Sequence, residues 1–502
     1  MLPLSKNTAR LVVPNSMEYL SIAIGFVTGI ALKHGFTQTD IAKIEIAVEE
    51  AVANVICHAF SPEETAEFTV ECIATPIGIE IAIADKGLPF DPTSITPYSP
   101  NNENLKGIGS HLMKNFMDSV SYRNLGCKGK ETHLIKYFPG RDSRIDRQKV
   151  GELYTIKEAS PDFTEKRQKP ISVQVRRIKE YEAIEIARMA YYVYGYTYVS
   201  EHIYFPDRII AMDKTNQLIS CLGLTNDDKI AGYVAVISHE EFPAIAELGA
   251  AMTHPDYRGR KVLDGVVDFA IKEALSCHRT TLYAQATTAH PYSQPILKRL
   301  GYTPWGFMLS YISPMLIKQI DDDTQKRHSV VVAGKIYDQA KPANIFIPKQ
   351  HKSLILSIYA EMGIKVKEPR ETLIQDKSVF TTSVNATLGM GKIVVNVVGK
   401  DIIHILKQEI TKVKRQQLVL CDLYINMCDC GCKLMFDRIE SIGFFFTGIL
   451  PGSAAGDFAA LQYFNGIDVD FELIKLSDGF GHHILKYLQK SYTERFLKGD
   501  ND

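Results

Sequence analysis

Apolar positions in the first part of the chain recur with two different periods. "MEYLSIAIGFVTGIALKHGF" carries them at helical spacing. "QTDIAKIEIAVEEAVANVICHAF" repeats that spacing and predicts a second helix, with Thr39 or Asp40 as its N-cap. "EFTVECIATPIGIEIAIAD" alternates with a period of two on either side of a turn near Pro76, Ile77 and Gly78, so it predicts two strands. "IGSHLMKNFMDSVSYR" predicts a helix running into a strand, and "GKETHLIKYF" a last strand. Helix, helix, strand, strand, loop, helix, strand, strand is the order expected of a two-layer α+β sandwich over residues 1–138.

Residues 139–170 are polar and charged and predict a linker. Residues 171–320 return to alternation: a strand in "ISVQVRRI", a helix in "EYEAIEIARMAYYVYG", strands in "LISCLGLT" and "KIAGYVAVI", then further strands and helices through "SQPILKRLGY". The charged joint "DDDTQKR" opens residues 321–502, where strands such as "HSVVVAGKIY" and "KIVVNVVG" alternate with helices such as "KSLILSIYAEMGI". The expected class is therefore a multidomain α+β and α/β chain. "KRLGYTPWGFML" and "ESIGFFFTGIL" share a helix end, a glycine, an aromatic residue and a strand. A duplicated lobe explains that echo, and chance similarity of two helix–glycine–strand turns is the alternative.

The chain has 502 residues, of which 45% are hydrophobic and 23% charged, ordinary values for globular domains. The length predicts about three domains. A net charge of -1 supplies no field that would draw in nucleic acid or an anionic membrane, and neither is expected as a partner. No apolar run reaches the length of a membrane span, and "MLPLSKNTAR" lacks the core of a signal peptide, so a cytoplasmic protein is expected. Four of the nine cysteines crowd into "CDLYINMCDCGC". Their CxCxC spacing has no second pair, so reduced cysteines in a loop are expected rather than a zinc site.

Candidate chemistry begins on the second helix. Glu50, Asn54 and His58 recur every four residues along one side, while Ile44, Val48, Val52 and Val55 supply a core face. An amide oxygen suits Mg²⁺, and a carboxylate one turn away can take a proton from an attacking hydroxyl. The alternative is an amphipathic helix whose polar side faces water. Downstream, "ADKGLPFDP" puts Asp85 at a strand end followed by Gly87, where an aspartate can accept from an adenine amino group and glycine lets the base approach. "NLKGIGSHLMKNF" puts Gly107 and Gly109 before a helix whose amides favour phosphate.

These stretches, in this order, resemble the GHKL ATP-binding fold in its anti-sigma-factor serine kinase branch. "EEAVANVICHAF" resembles the N-box, "DKGLPFDP" the G1 box, "GIGSHLMKNFMDSVSY" the G2 box and "GKETHLIKYF" the last strand. The resemblance implies Glu50 as general base, Asn54 as the Mg²⁺ ligand, Asp85 as the adenine contact, Gly107 and Gly109 as phosphate-loop glycines and Thr132 near the adenine. His58 is given no catalytic role. A sensor histidine kinase would need a phosphoacceptor hairpin before the N-box, so the anti-sigma branch is the expectation. The resemblance implies a serine or threonine on a regulatory partner as substrate, an anti-anti-sigma or sigma-factor-like protein, and it is compatible with a homodimer.

"ELGAAMTHPDYRGRKVLDGVVDFAIKEAL" and "HPYSQPILKRLGYTPWGF" resemble the central strand, pyrophosphate loop and following elements of the GNAT acetyltransferase fold, over residues 171–320. The resemblance implies that Arg258, Gly259 and Arg260 hold the pyrophosphate of acetyl-CoA, and it puts Glu247 where many members carry a base. Glu247 as an exposed charge at a strand edge is the alternative. The family shows glycines where Lys261 and Leu263 stand, and its general-acid tyrosine falls on Leu297. Tyr292 or Tyr302 is the substitute the sequence offers. Residues 321–502 resemble a second, degenerate lobe without a pyrophosphate loop, and "PGSAAGD" is expected to be a surface loop. Three functions are therefore in play: a protein-serine/threonine kinase, an acyltransferase regulated by ATP, and a non-catalytic scaffold.

Overall fold

The computed structural model describes residues 8–61, 64–75, 77–90, 108–138, 171–198, 200–289, 294–312, 327–338, 342–385, 388–453, 456–477 and 479–497. The linker read at 139–170 and Gly107 lie outside them. The chain divides into two compact units, Met1–Gln168 with Lys179–Ile210, and Lys169–Ile178 with Ala211–Asp502.

The first unit contains β1 (Thr8–Pro14), α1 (Leu20–Lys33), α2 (Gln38–His58), β2 (Glu67–Thr75), β3 (Gly78–Asp85), α3 (Ile108–Phe116), β4 (Ser119–Asn124), β5 (Lys130–Tyr137) and α4 (Ala183–Tyr194). Among the described residues, five strands form an antiparallel sheet in the order β1-β2-β3-β5-β4. Ile44, Val48, Val52 and Val55 of α2 are buried, as their spacing predicts, in one cluster with Phe68, Ile81, Ile83 and Leu134 of the sheet. Each such side chain contributes about 1.5–3 kcal/mol. The N-cap is neither Thr39 nor Asp40. Thr37 caps α2 by accepting from the Asp40 amide at 3.2 Å, and its own hydroxyl donates to Asp40 Oδ2 at 2.6 Å. The helix therefore starts before its apolar period becomes visible. β1 carries no clear two-residue period in the sequence, and only Val13 of its residues is buried.

The second unit begins with β6 (Gln174–Arg177), and α5 (Pro206–Lys214) leads into it along the chain. Next come β7 (Leu218–Leu224), β8 (Ile230–Ser238), β9 (Ile245–Thr253), α6 (Val262–Ser276), β10 (Thr281–Thr287), α7 (Gln294–Arg299), β11 (Thr303–Ile312) and β12 (His328–Ile336). The rest comprises β13 (Ala343–Asn344), α8 (Lys352–Glu361), β14 (Val366–Lys367), β15 (Val379–Asn385), β16 (Met390–Val397), α9 (Ile402–Arg415), β17 (Leu420–Asn426), α10 (Cys430–Ser441), β18 (Phe445–Ser453), β19 (Gly456–Phe464) and α11 (Gly479–Tyr492).

Among the described residues, twelve strands of this unit form one sheet in the order β15-β16-β17-β19-β18-β11-β12-β10-β9-β8-β7-β6. Its centre is an approximate two-fold axis. The run β8, β9, α6, β10, α7, β11, β12 corresponds element for element to β15, β16, α9, β17, α10, β18, β19, with the same parallel and antiparallel pairings. The two copies meet where Gly306 of β11 faces Gly448 of β18. A Cβ on Gly306 would lie 2.6 Å from the Gly448 Cα, so neither site accommodates a side chain. The sequence echo is therefore two equivalent places in one duplicated fold. Each helix there ends at a positive-φ glycine, Gly301 at 68° and Gly443 at 112°.

Three placements differ from the sequence expectation. β12, read beyond the boundary at 320, pairs with β10 and β11 of the first lobe. Lys179–Ile210, read as the start of the second domain, falls in the first unit. The cysteine cluster is not a loop. Cys421 is buried in β17, and Cys430 and Cys432 are buried at the start of α10, with Cys428 exposed in the turn between. "PGSAAGD" joins the ends of β18 and β19, where Asp457 accepts from the Gly452 amide at 2.7 Å.

Candidate functional site

The stripe on α2 forms as expected. Glu50 is half-buried, Asn54 one turn later is exposed, and His58 ends the helix. Burial, with the neighbouring Glu49 charge, raises the Glu50 carboxyl above its ordinary value. Gly109 is the second residue of α3. A Cβ built on it would fall 2.1 Å from Glu50 Oε2, so the carboxylate rests against the open backbone there. The start of α3 presents amides with no partner inside the helix, the usual place for an anion.

Asp85 ends β3 and is 6% exposed. Its Oδ1 accepts from the Gly87 amide at 2.8 Å and from Lys130 Nζ at 2.5 Å. Lys130 stands opposite Asp85 in the β3–β5 register and also donates to the Leu88 carbonyl at 3.0 Å. Gly87 is tightly placed: a Cβ there would fall 2.1 Å from the Ala59 carbonyl, and the Leu88 amide donates to that same oxygen at 2.6 Å. Glycine at 87 thus seats the loop on the end of α2. Gly129, at φ 94°, is pressed on the Asp85 carbonyl in the same way. Thr132 lies between Ile83 and Tyr122 in the sheet and lines a small cavity with Phe90, Tyr122, Lys130 and Tyr196.

Three contributors were not legible. Lys130 sits in the "GKET" of the last strand, and nothing local says that it reaches across to Asp85. Tyr196, just after α4, donates from its hydroxyl to the Gly87 carbonyl at 2.7 Å, and Arg188 of α4 donates to the Pro89 carbonyl at 3.3 Å. The tyrosine-rich run "YYVYGYTYV" was the only signal available.

The oxygen chemistry at this place fits a nucleotide and a hard cation. An exposed amide oxygen and a half-buried carboxylate share a helix side, and a helix start with a glycine lies beside them.

In the second unit, Arg258, Gly259 and Arg260 form the turn ahead of α6. Gly259 has φ 73°, and Lys261 is held at φ 58°, a left-handed conformation that favours glycine. The Arg260 guanidinium lies 6.0 Å from the centre of the Tyr257 ring. β9 and β10 pair in parallel through Ile245–Glu247 and Thr281–Tyr283. The corresponding β16 and β17 stay paired from Met390–Val395 to Leu420–Ile425. The first lobe alone thus has the shorter pairing beside its loop.

Glu247 is not an exposed edge charge. Burial pushes its carboxyl up to about 7, opposed by a hydrogen bond from Tyr283. The Tyr283 hydroxyl also contacts His239 Nε2 at 3.2 Å, and burial with the Lys392 charge lowers that imidazole to about 4. Leu297 and Tyr302 are buried in the core, and Tyr292 lies outside the described residues. Tyr283 is the phenol beside Glu247, and its place in "TTLYAQAT", with Gln285 two residues on, was the available signal.

The histidine kinase-like ATPase domain family matches residues 13–136, and the GNAT acetyltransferase family matches residues 182–302. Serine-protein kinase RsbW of Bacillus subtilis (strain 168) is 30% identical over 160 residues, covering 30% of this chain and 98% of that protein. Serine-protein kinase RsbW of Listeria monocytogenes serovar 1/2a is 34% identical over 118 residues, 22% of this chain and 75% of that protein. Among solved structures, the ribosomal-protein-S5-alanine acetyltransferase from Vibrio fischeri is 19% identical, covers 37% of this chain and 100% of its own, and has a TM-score of 0.28. An N-acetyltransferase from Staphylococcus aureus Mu50 is 14% identical, with coverages of 33% and 99% and a TM-score of 0.27. The chain belongs to the histidine kinase-like ATPase family, in the branch of the serine-protein kinases RsbW, with a GNAT-family acetyltransferase domain fused behind it.

Proposed function

We propose that the first unit binds ATP with Mg²⁺ and transfers the γ-phosphoryl group to a serine or threonine of a regulatory protein of the anti-anti-sigma or sigma-factor kind, in the cytoplasm. The observation that carries this is the Glu50 carboxylate resting against Gly109 at the start of α3, with Asn54 one turn along the same helix. Asp85 would accept from the adenine amino group, with Thr132 beside the base, and the backbone at Gly107 and Gly109 would meet the phosphates. Asn54 would hold Mg²⁺, which neutralises phosphate charge when bound. Glu50 takes the proton as the hydroxyl oxygen bonds to the γ-phosphorus, and the bond from that phosphorus to the β–γ bridging oxygen breaks to release ADP. The raised basicity of Glu50 suits that role.

Among the described residues, no helix is long and apolar enough to cross a membrane. Val12, Met17 and Ile22 stand exposed near the start of this unit, apolar surface that a second copy would cover in a homodimer. The test is transfer of labelled γ-phosphate from ATP to an anti-anti-sigma-type protein. Label on serine or threonine, lost in Glu50→Gln while ATP still binds, supports the reading. A full chain without measurable ATP affinity would end it.

A second reading concerns the other unit. The short β9–β10 pairing beside the turn at Arg258, Gly259 and Arg260 favours acetyl-CoA binding there, with Glu247 as the base that deprotonates an acceptor through water. Titration with acetyl-CoA tests it, and unchanged affinity in Arg258→Ala removes the pyrophosphate role of that residue.

A further inference from the structure

A cavity of about 110 Å³ lies beside the Gly306–Gly448 contact, inside the second unit. Glu247, Tyr283 and Tyr311 line it from the first lobe, and Lys392, Asp422 and Tyr424 from the second. We propose that this cavity binds a compact organic dication, with one cationic nitrogen at Glu247 and the other at Asp422. The degenerate lobe then builds half of a site rather than serving only as a support.

The two-fold repeat shows how the second lobe comes to contribute. Asp422 and Tyr424 hold the third and fifth positions of β17, as Tyr283 and Gln285 do in β10. Positions two apart on a strand share a face, so each lobe turns a polar pair toward the axis. Tyr311 and Tyr424 each lie in the electric field of both carboxyls, so the two acids flank one small space.

The charge of the wall selects the ligand. Among the described residues, neither Glu247 nor Asp422 has a lysine or arginine in ion-pair contact. Lys392 is engaged by Glu241 at 2.7 Å, and His239 is held neutral by its burial. Asp422 is fixed in place by Gln462 Nε2, which donates to its Oδ1 at 3.0 Å, while Gln462 Oε1 accepts from the Leu309 amide at 2.7 Å. Burial pushes both carboxyls up to about 7, and neither the Tyr283 hydrogen bond at Glu247 nor the Gln462 hydrogen bond and the more distant Lys392 charge at Asp422 offsets it. A ligand with two ammonium groups supplies the compensating charge. A monoamine supplies half of it and a diol none.

The test is calorimetry on the full chain at pH 8 with 1,4-diaminobutane, n-butylamine and 1,4-butanediol. The diamine is expected to bind at least tenfold more tightly than the monoamine, and the diol to give no signal. Asp422→Asn and Glu247→Gln each lower diamine affinity at least tenfold and remove its preference over the monoamine. Ala460→Leu fills the cavity from the second lobe and leaves both acids in place. It abolishes binding, and it carries the test if circular dichroism shows that an acid variant does not fold. Equal affinity for diamine and monoamine, an unaffected Asp422→Asn, or no binding of any probe overturns the proposal. None of these results bears on ATP binding or phosphoryl transfer by the first unit.

Discussion

The Glu50 carboxylate occupies the space that a methyl group on Gly109 would need, with only 2.1 Å between Oε2 and a Cβ built there. Gly109→Ala must therefore displace either the carboxylate or the start of α3. The expected result is phosphoryl transfer lowered at least a hundredfold with the thermal midpoint within a few degrees of wild type. Single-turnover transfer at saturating ATP checks it, and a fully active variant would separate Glu50 from the reaction.

Asn54 is exposed on α2 and carries the oxygen that suits a hard cation. Asn54→Ala is expected to weaken ATP binding at least tenfold with Mg²⁺ present and to leave binding in excess chelator unchanged. Titrations under the two conditions read the difference directly.

Lys130 and Asp85 form an ion pair at 2.5 Å in which the Asp85 side chain is 3% exposed. Removing the lysine leaves a buried carboxylate with the Gly87 amide as its remaining donor among the described residues. Lys130→Met is expected to destabilise the protein by about 3 kcal/mol, seen as a lower urea midpoint for the first unfolding transition. A midpoint unchanged from wild type would mean the pair contributes nothing net.

Lys261 adopts φ 58° at the N-cap of α6. A side chain in that conformation costs about 1 kcal/mol relative to glycine. Lys261→Gly should therefore raise the denaturation midpoint of the second unit. A lower midpoint would show that the lysine side chain makes compensating contacts.

Burial pushes the Glu247 and Asp422 carboxyls up to about 7 in the folded protein, above an unfolded carboxyl. The folded state thus binds more protons than the unfolded state between about pH 4 and 7. Their contribution to stability is full below the unfolded value and is lost as pH rises through 7. The groups that share their cavity are His239, Tyr283, Tyr311, Lys392 and Tyr424. Melting of the second unit should occur at lower temperature at pH 8 than at pH 5.5, and the double variant Glu247→Gln with Asp422→Asn should flatten that slope.

By itself the sequence determined the elements and the local chemistry. Helical spacing placed Ile44, Val48, Val52 and Val55 in the core and Glu50 with Asn54 on the other side of α2. These properties depend on residues within one or two turns of each other, which periodicity records. The glycine–aromatic echo likewise marked the two strands that meet at the centre of the large sheet. Tertiary structure alone decided that Lys130 reaches Asp85, that β12 completes the first lobe, and that Asp422 shares a cavity with Glu247. Those contacts join residues far apart along the chain, and they exist only once strand order and register bring the partners together. Burial then sets the acidity of Glu247 and Asp422, a property of the surrounding packing rather than of either residue.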